Sequence, residues 1–313
     1  MTLAGRFRYG VKRGLEIAIV RSGITAWRIR DPKRARLVLA YHNIVADDDP
    51  PWGERALHLK RSLFERHIDL LGEKGRIVPL TELLQDGPSE DNQAPRFALT
   101  FDDAYQGALD TIESFLQPRG IPCTVFVNPA LLGKGAFWWD QVAEVFDGAM
   151  PEALRQDLLF GLKGCHEGVT QHMGEALRMV PDPPSSSFAP SSESSLRRIL
   201  VARSGMDLGL HTWSHRNLSA LSEEEVVEEV SRNQVWLAKL GAKASPFLAY
   251  PYGLAPVPMP HGLASLGIKY GLLVEGGHLQ SPLGGPYGLL LPRLSVPNGL
   301  SREGLQLRLA GIR

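Results

Sequence analysis

Apolar residues in this chain fall into short unbroken runs separated by longer amphipathic stretches. Arg36 to Ala40 (RLVLA), Arg96 to Phe101, Ile121 to Val127, Met206 to Leu210, Phe247 to Tyr250 and Tyr270 to Val274 are too short for helices. They read as strands buried on both faces, Arg36 to Ala40 in particular as a short apolar run. Between them the period changes. Leu63 to Gly75 places Phe64, Ile68 and Leu71 on one helical face, with Gly75 just past its end, and Gly107 to Leu116 reads as a further helix. Ser222 to Leu240 opens with Ser222 as cap, Glu225 at the capping-box position, and Glu223 and Glu224 favouring the helix dipole. Ile77 to Leu80 predicts a short strand, followed by a helix over Thr81 to Leu84 capped by Thr81. Ala46 to Glu54 and Asp86 to Pro95 are rich in Asp, Pro and Gly and read as loops. Strands alternating with helices predict an α/β fold with a mainly parallel sheet, open or closed into a barrel.

One segment breaks the rhythm. Gln141 to Arg203 contains the serine- and proline-rich stretches around Pro181 to Ser187 and Pro190 to Ser195, and reads as a helical insertion followed by a flexible loop. The expected layout is therefore an arm over residues 1–35, one domain over 36–300 with this insertion at about 141–203, and a tail over 301–313.

Composition narrows the function. The 34 basic and 34 acidic residues balance, so global charge does not argue for a nucleic-acid partner. The two cysteines, Cys123 and Cys165, follow no metal spacing and make no disulfide framework, and Cys123 sits in an apolar run that predicts core. The first 40 residues are asymmetric: ten are basic and two acidic, a balance of +8, with Leu15, Ile17, Ala18, Ile19, Ile24 and Trp27 interleaved. Such an arm suits either an anionic membrane surface or a helix packed on the domain with its charges solvated. Ile17 to Val20, between Glu16 and Arg21, is too short for a secretory h-region, and no run approaches a membrane span. The expected location is the cytoplasm, with the arm as a peripheral membrane contact.

The chemistry gathers where strands end. Leu99-Thr100-Phe101 runs into two adjacent carboxylates, Asp102 and Asp103. At a strand end both can reach one cavity, where they are costly unless they bind a cation or move a proton. His211 and His215 follow Met206 to Leu210. At i and i+4 they would share one helical face and could hold one ion, although the pair alone reads equally well as polar residues at a helix start. Two histidines and one carboxylate leave open positions, as a catalytic metal requires. Tyr250-Pro251-Tyr252-Gly253 predicts a tight turn that can aim a backbone N–H at a developing oxyanion; alone it is an ordinary strand exit.

These three motifs, in this order, resemble the polysaccharide deacetylase family (carbohydrate esterase family four) from about Leu37 to about Val296. Asp102 and Asp103 match its T-F-D-D motif, His211 and His215 its H-[ST]-x-x-H motif, and Tyr250 to Gly253 falls at its R-x-P-Y motif. The chain departs from the family at Ala104, where Gly is usual, and at Ala249, where the motif arginine is absent. The family's C-terminal L-x-H histidine has only a poor match in His278. Tyr41-His42, Trp138-Trp139-Asp140, Ala249 to Gly253 and Leu291 to Leu294 are similar to a subgroup of exopolysaccharide and biofilm-glycan deacetylases, with Arg293 in place of the missing arginine.

The resemblance implies a distorted (β/α) barrel and metal-assisted removal of N-acetyl groups from an amino-sugar glycan. It assigns Asp103, His211 and His215 to one divalent ion, zinc first, with cobalt, nickel or iron also suited. It makes Asp102 the base, His42 the acid, Tyr252 an oxyanion donor and Arg293 the partner of Asp102. Trp138, Tyr250 and Tyr105 are the expected substrate contacts; Trp139 reads as core. Two rivals remain: hydrolysis of a non-sugar amide or cyclic imide by the same site, and a non-catalytic glycan-binding module.

Overall fold

A computed structural model describes residues 3–31, 34–85, 94–201, 205–280, 283 and 285–312. Most of the expected loop at 86–95 lies outside them. Among the described residues ten strands form: β1 Arg36–Tyr41, β2 Asn43–Val45, β3 His58–Lys60, β4 Arg76–Ile77, β5 Arg96–Phe101, β6 Cys123–Val127, β7 Met206–Leu210, β8 Phe247–Ala249, β9 Tyr270–Gly276 and β10 Leu291–Ser295. Every pairing between them is parallel. Seven strands close a barrel in the order β1-β10-β9-β8-β7-β6-β5, sealed by a six-residue ladder from Arg36↔Arg96 to Tyr41↔Phe101. β4 adds to β5 at its N-terminal end, and β2 with β3 makes a separate pair.

The unbroken apolar runs follow from burial on both faces. In β1, Leu37, Leu39 and Tyr41 belong to the large outer core shared with Phe64, Ile68 and Leu71, whereas Val38 belongs to a second cluster with Ala98, Phe126, Ala249, Leu272 and Leu291. Alternation along the strand sends one set out to the helices and the other into the barrel. Leu80, Leu83, Leu84, Leu279 and Leu283 extend the inner cluster.

The helices, in chain order, are α1 Leu3–Arg21, α2 Ile24–Ile29, α3 Arg61–Lys74, α4 Leu80–Leu83, α5 Gln106–Thr111, α6 Trp138–Val145, α7 Glu152–Gln156, α8 His166–Arg178, α9 Glu193–Val201, α10 Glu223–Leu240, α11 Gly262–Ser265 and α12 Arg302–Leu309. α10 forms as its pattern predicts. Ser222 accepts from the Glu225 N–H, the Glu225 side chain accepts from the Ser222 N–H, and Gly241 closes the helix in the left-handed conformation.

Three expectations change. Thr81 lies inside α4, whose cap position is Pro79 and carries no side-chain cap bond. Residues 301–313 hold α12, capped by Ser301 and burying Leu305 and Leu309. The serine-rich stretch is packed: Phe188 and Ser191 are buried, and Ser191 donates its N–H to Ala104 and accepts from Gly133. Its serines read as a flexible loop, but the Phe188 ring and backbone hydrogen bonds to Ala104 and Gly133 dock it beside the second aspartate. Both cysteines are free, and Cys123 is buried.

α1 and α2 pack on α12. Arg13 reaches Glu303 at 2.6 Å, Ser301 donates to Glu16 at 2.6 Å, and Gln306 donates to Thr25 at 2.9 Å. Nearby, His67 of α3 is wholly buried, with Nε2 2.7 Å from the Leu300 carbonyl. Burial lowers its pKa to about 4. The native state therefore excludes a proton that the unfolded chain binds below about 6.5, so stability is full above that pH and falls as pH drops towards 4. Denaturant titrations at pH 7 and pH 5 should differ by about 2 kcal/mol more in the native chain than in His67→Gln. An equal pH dependence in both would refute this.

Candidate active site

The inner cluster turns polar at the C-terminal ends of the strands. β5 ends at Phe101, and Asp102 and Asp103 follow, 2% and 3% exposed. Asp103 and Ala104 have φ of 70° and 57°. This left-handed turn keeps the two neighbouring carboxylates from diverging as they would on an extended strand. Seven non-glycine residues among those described have positive φ, and five of them (Asp103, Ala104, Thr212, His215 and Tyr252) belong to the three sequence motifs. Backbone strain of this kind costs on the order of 1–3 kcal/mol per residue and persists where the surroundings enforce it.

Asp102 is gripped by Arg293. Nη1 donates to Oδ1 at 2.8 Å and Nη2 to Oδ2 at 2.6 Å, a bidentate fork. The guanidinium is itself fixed by donating to the Leu273 carbonyl at 2.6 Å and to Thr100 Oγ1 at 3.1 Å. A register shift in β10 between Leu291 and Arg293 brings Arg293 opposite Gly276. Burial alone would raise the Asp102 pKa; Arg293 outweighs it and holds the carboxyl below the usual range. His42, just past β1, lies with Nε2 4.0 Å from Asp102 Oδ2 and is 16% exposed. Burial lowers its pKa, against the pull of Asp102. The barrel closure places it there: the Asp102 N–H bonds to the Tyr41 carbonyl at 3.0 Å.

Asp103 faces the histidine pair. Its Oδ1 lies 3.3 Å from His211 Nε2 and 3.2 Å from His215 Nε2, and the two Nε2 atoms are 3.1 Å apart. These separations approach the ~3.3–3.6 Å ligand spacing of a tetrahedral site with bonds of about 2.0–2.2 Å. The tautomer argues the same way. His211 Nδ1 donates to the Ala249 carbonyl at 2.8 Å, so in the neutral ring Nε2 is a bare lone pair. That lone pair points at a carboxylate oxygen and at a second imidazole nitrogen. Three electron-rich atoms converging in a buried space call for a cation between them, and no other set of three or more His, Cys, Asp or Glu side chains among the described residues does this. Burial would raise the Asp103 pKa, but His215 and His211 hold it well below the usual carboxylate range.

The histidines converge differently from the expectation. His211 to Asn217 is not helical; Thr212 and His215 take φ of 62° and 60°, and Thr212 Oγ1 accepts from the His215 N–H at 3.0 Å. The i, i+4 spacing works here through a turn, because α10 starts only after Ser222. Tyr252 occupies the turn after β8 with φ of 59°, packs its ring 4.6 Å from His215, and donates its hydroxyl to the His215 carbonyl at 3.1 Å.

The expected substrate contacts are not at a surface. Trp138 is 1% exposed, and Trp139 is buried beside it. Tyr250 is buried and donates to the Leu289 carbonyl at 2.9 Å; Tyr105 is buried and donates to Asp140 at 2.7 Å. Large rings at the rim of this barrel pack its helices rather than facing solvent. His278 bonds the Leu309 carbonyl at 3.0 Å, with α12.

Other residues at the site went unread. Asn128 Nδ2 donates to Asp103 Oδ1 at 3.3 Å. Glu229 accepts from the Ser214 N–H and hydroxyl at 2.8 and 2.6 Å, and Asn233 donates to the Val127 and Thr212 carbonyls at 2.6 and 2.5 Å. Both lie on the buried face of α10 with Val226, Val230 and Leu237. Polar residues interrupting an apolar helical stripe were the available signal.

The sequence profile of the polysaccharide deacetylase family matches residues 170–271, which include both histidines and the Tyr252 turn. Over these residues the chain resembles a polysaccharide deacetylase domain. No curated protein sequence matches the chain. The polysaccharide deacetylase fold extends well beyond the matched residues, as solved structures show. The Streptococcus pyogenes deacetylase PplD, in complex with acetate, aligns with a TM-score of 0.58 at 17% identity, over 88% of this chain and 97% of that one. IcaB from Ammonifex degensii gives 0.58 at 16%, with the same coverage. The BpsB deacetylase domain from Bordetella bronchiseptica gives 0.51 at 13%, over 84% and 96%. At these identities the likeness is one of fold, the distorted (β/α) barrel.

Proposed function

We propose that this chain is a metal-dependent hydrolase that removes N-acetyl groups from an amino-sugar glycan. The convergence of Asp103, His211 and His215 beside the Asp102–Arg293 pair carries this reading. The family match and the fold shared with PplD and IcaB support it. Asp103, His211 and His215 would hold the ion; zinc suits the set, as do cobalt, nickel and iron. When bound, the ion supplies Lewis-acid polarisation of the acetamido carbonyl and acidifies water.

The chain's own groups do the rest. Asp102, kept ionised by Arg293, takes a proton from the attacking water. The Tyr252 backbone N–H, on a turn rigidified by Pro251 and Gly253, faces the oxyanion. His42 gives a proton to the departing amine. Asp102 and His42 must hold opposite protonation states, and the bidentate arginine on one but not the other sets them apart.

Acetate release from a panel of N-acetylated oligosaccharides, after zinc or cobalt reconstitution, tests the proposal. Turnover that excess chelator removes and metal restores is expected. Hydrolysis of a cyclic imide but of no glycan would favour the amidase reading, and glycan binding without release would favour a binding module; either defeats the proposal.

Residues 10–30 suggest where the enzyme works. α1 and α2 turn Glu16, Thr25 and Ile29 inward and leave Val11, Leu15, Ile24 and, at 74%, Trp27 exposed beside Lys12, Arg21 and Arg30. A cationic, apolar face suits an anionic membrane surface, each cation contributing about 1 kcal/mol. No helix among the described residues is long and apolar enough to cross a membrane. Co-sedimentation should be stronger with phosphatidylglycerol vesicles than with phosphatidylcholine, and weaker in Trp27→Ser. Equal recovery with both lipids would exclude the contact.

A further inference from the structure

The two histidines of the candidate metal centre are oriented by different means. His211 is fixed by a hydrogen bond from Nδ1 to the Ala249 carbonyl, whereas His215 Nδ1 is buried with no hydrogen-bond partner among the described residues. A metal-ligating imidazole usually has its other nitrogen bonded. His215 is held instead by rings: Trp139 at a centroid distance of 4.5 Å and Tyr252 at 4.6 Å.

Trp139 is in turn held by a buried polar chain. Its Nε1 donates to the Tyr105 hydroxyl at 2.8 Å, and that hydroxyl donates to Asp140 Oδ2 at 2.7 Å. Asp140 Oδ1 accepts from the Glu54 N–H at 2.9 Å and lies 3.0 Å from His58 Nε2. Asn43 Nδ2 approaches His58 Nδ1 at 3.0 Å and also donates to the Ser187 carbonyl at 2.9 Å. The pattern is self-consistent with His58 donating from Nε2 to Asp140 and accepting from Asn43 at Nδ1. All five side chains, Asn43, His58, Tyr105, Trp139 and Asp140, are buried. Gly53, with φ of 69°, permits this, because a Cβ there would sit 2.7 Å from Asp140 Oδ1.

Buried carboxylates are expensive, and no arginine or lysine among the described residues is bonded to this one. Its donors come from the loop before β3, β3 itself and the turn before α5, and its own helix carries Trp139 to His215. The indole is also stacked on Phe137 at 4.4 Å and 12°, so the chain fixes its in-plane rotation and Phe137 its tilt. The geometry points to Asp140 and Tyr105 as positioning residues that set the angle of His215 through Trp139, in place of a hydrogen bond to His215 itself. This rests on the reading of Asp103, His211 and His215 as metal ligands.

Tyr105→Phe tests it, removing one oxygen and leaving the ring. The expected result is a zinc affinity about 10-fold weaker, measured in the full-length chain by competition with a chromogenic chelator. The visible d–d bands of the Co²⁺ form should shift, since they report ligand geometry. Trp139→Phe, which keeps an aromatic against His215 but deletes the N–H, should move both in the same direction. Trp52→Phe is the control: it removes a similar indole bond, to the Pro181 carbonyl at 3.1 Å, in a separate cluster. It should lower thermal stability without changing the cobalt spectrum. A Tyr105→Phe protein of reduced stability but unchanged zinc affinity and cobalt bands would overturn the inference, as would unchanged values in Trp139→Phe should Tyr105→Phe not fold. If the native chain bound neither ion, the metal-site reading itself would fall.

Discussion

Replacing His211 with alanine removes metal and activity together. The native chain should carry about one divalent ion, and the variant essentially none at the same total metal. The reason is geometric. With His211 gone, Asp103 and His215 remain as two neighbouring donors 3.2 Å apart, and two ligands do not make a site of three. Acetate release should fall to the uncatalysed background, because the remaining Asp102 and His42 can move protons but cannot polarise the carbonyl. The fold should survive: outside the cluster the His211 ring bonds only the Ala249 carbonyl, its backbone N–H bond to Val127 is kept in the variant, and the deletion relieves the crowding of three electron-rich atoms. Elemental analysis and acetate assay on the same preparation check the outcome. A protein that turns over fully in excess chelator would defeat it.

The second large effect separates the two aspartates. Asp102→Asn should keep its metal and lose about 10²–10⁴ in kcat, the usual worth of a positioned base. Asp103→Asn should lose metal affinity instead. In Asp102→Asn the buried Arg293 charge loses its counterion, at a cost of about 3–5 kcal/mol, so metal content also serves as proof of folding. The pH profile carries the sign. Arg293 holds Asp102 low, so activity should be lost on the acid side only at or below the ordinary carboxylate range. Burial lowers His42, so an acid role there predicts that the rate falls as pH rises through a value at or below that of a free histidine. His42→Ala should keep its metal and flatten that basic limb. Exchanged phenotypes for Asp102 and Asp103 would reverse their roles.

The barrel was legible because its strands are buried on both faces. That gives runs such as Leu37 to Ala40 a composition no surface strand shares. Closure was legible only through the family resemblance: pairing of β1 with β5 is a long-range event, and the local pattern, which carries only the order of strands and helices, left the sheet open or closed. β10 escaped notice as a strand because Pro292 and Arg293 interrupt its apolar character, and the arginine is there to meet Asp102. The candidate cation cluster of Asp103, His211 and His215 was legible from spacing, but the spacing suggested a helix where a left-handed turn brings the histidines together. Exposure of the aromatic residues was the hardest to read: Trp138, Tyr105 and Tyr250 were expected to contact substrate, and each is buried in packing or in a hydrogen bond. Ring exposure depends on which helix lies above it, which no local pattern records.

The seam between β1 and β10 has a consequence for synthesis. Arg293, the counterion of Asp102, is nearly two hundred residues downstream, on the last strand to leave the ribosome. Until Leu291 emerges, six of the seven barrel strands are present, β1 and β9 are bare edges, and Asp102 has no guanidinium to enter the interior with. A nascent chain therefore gains little by collapsing early, since doing so would bury a naked carboxylate. Closing the ring and neutralising Asp102 become one late event, and released chains truncated before residue 291 should remain protease-sensitive throughout the barrel while chains that include β10 and α12 do not.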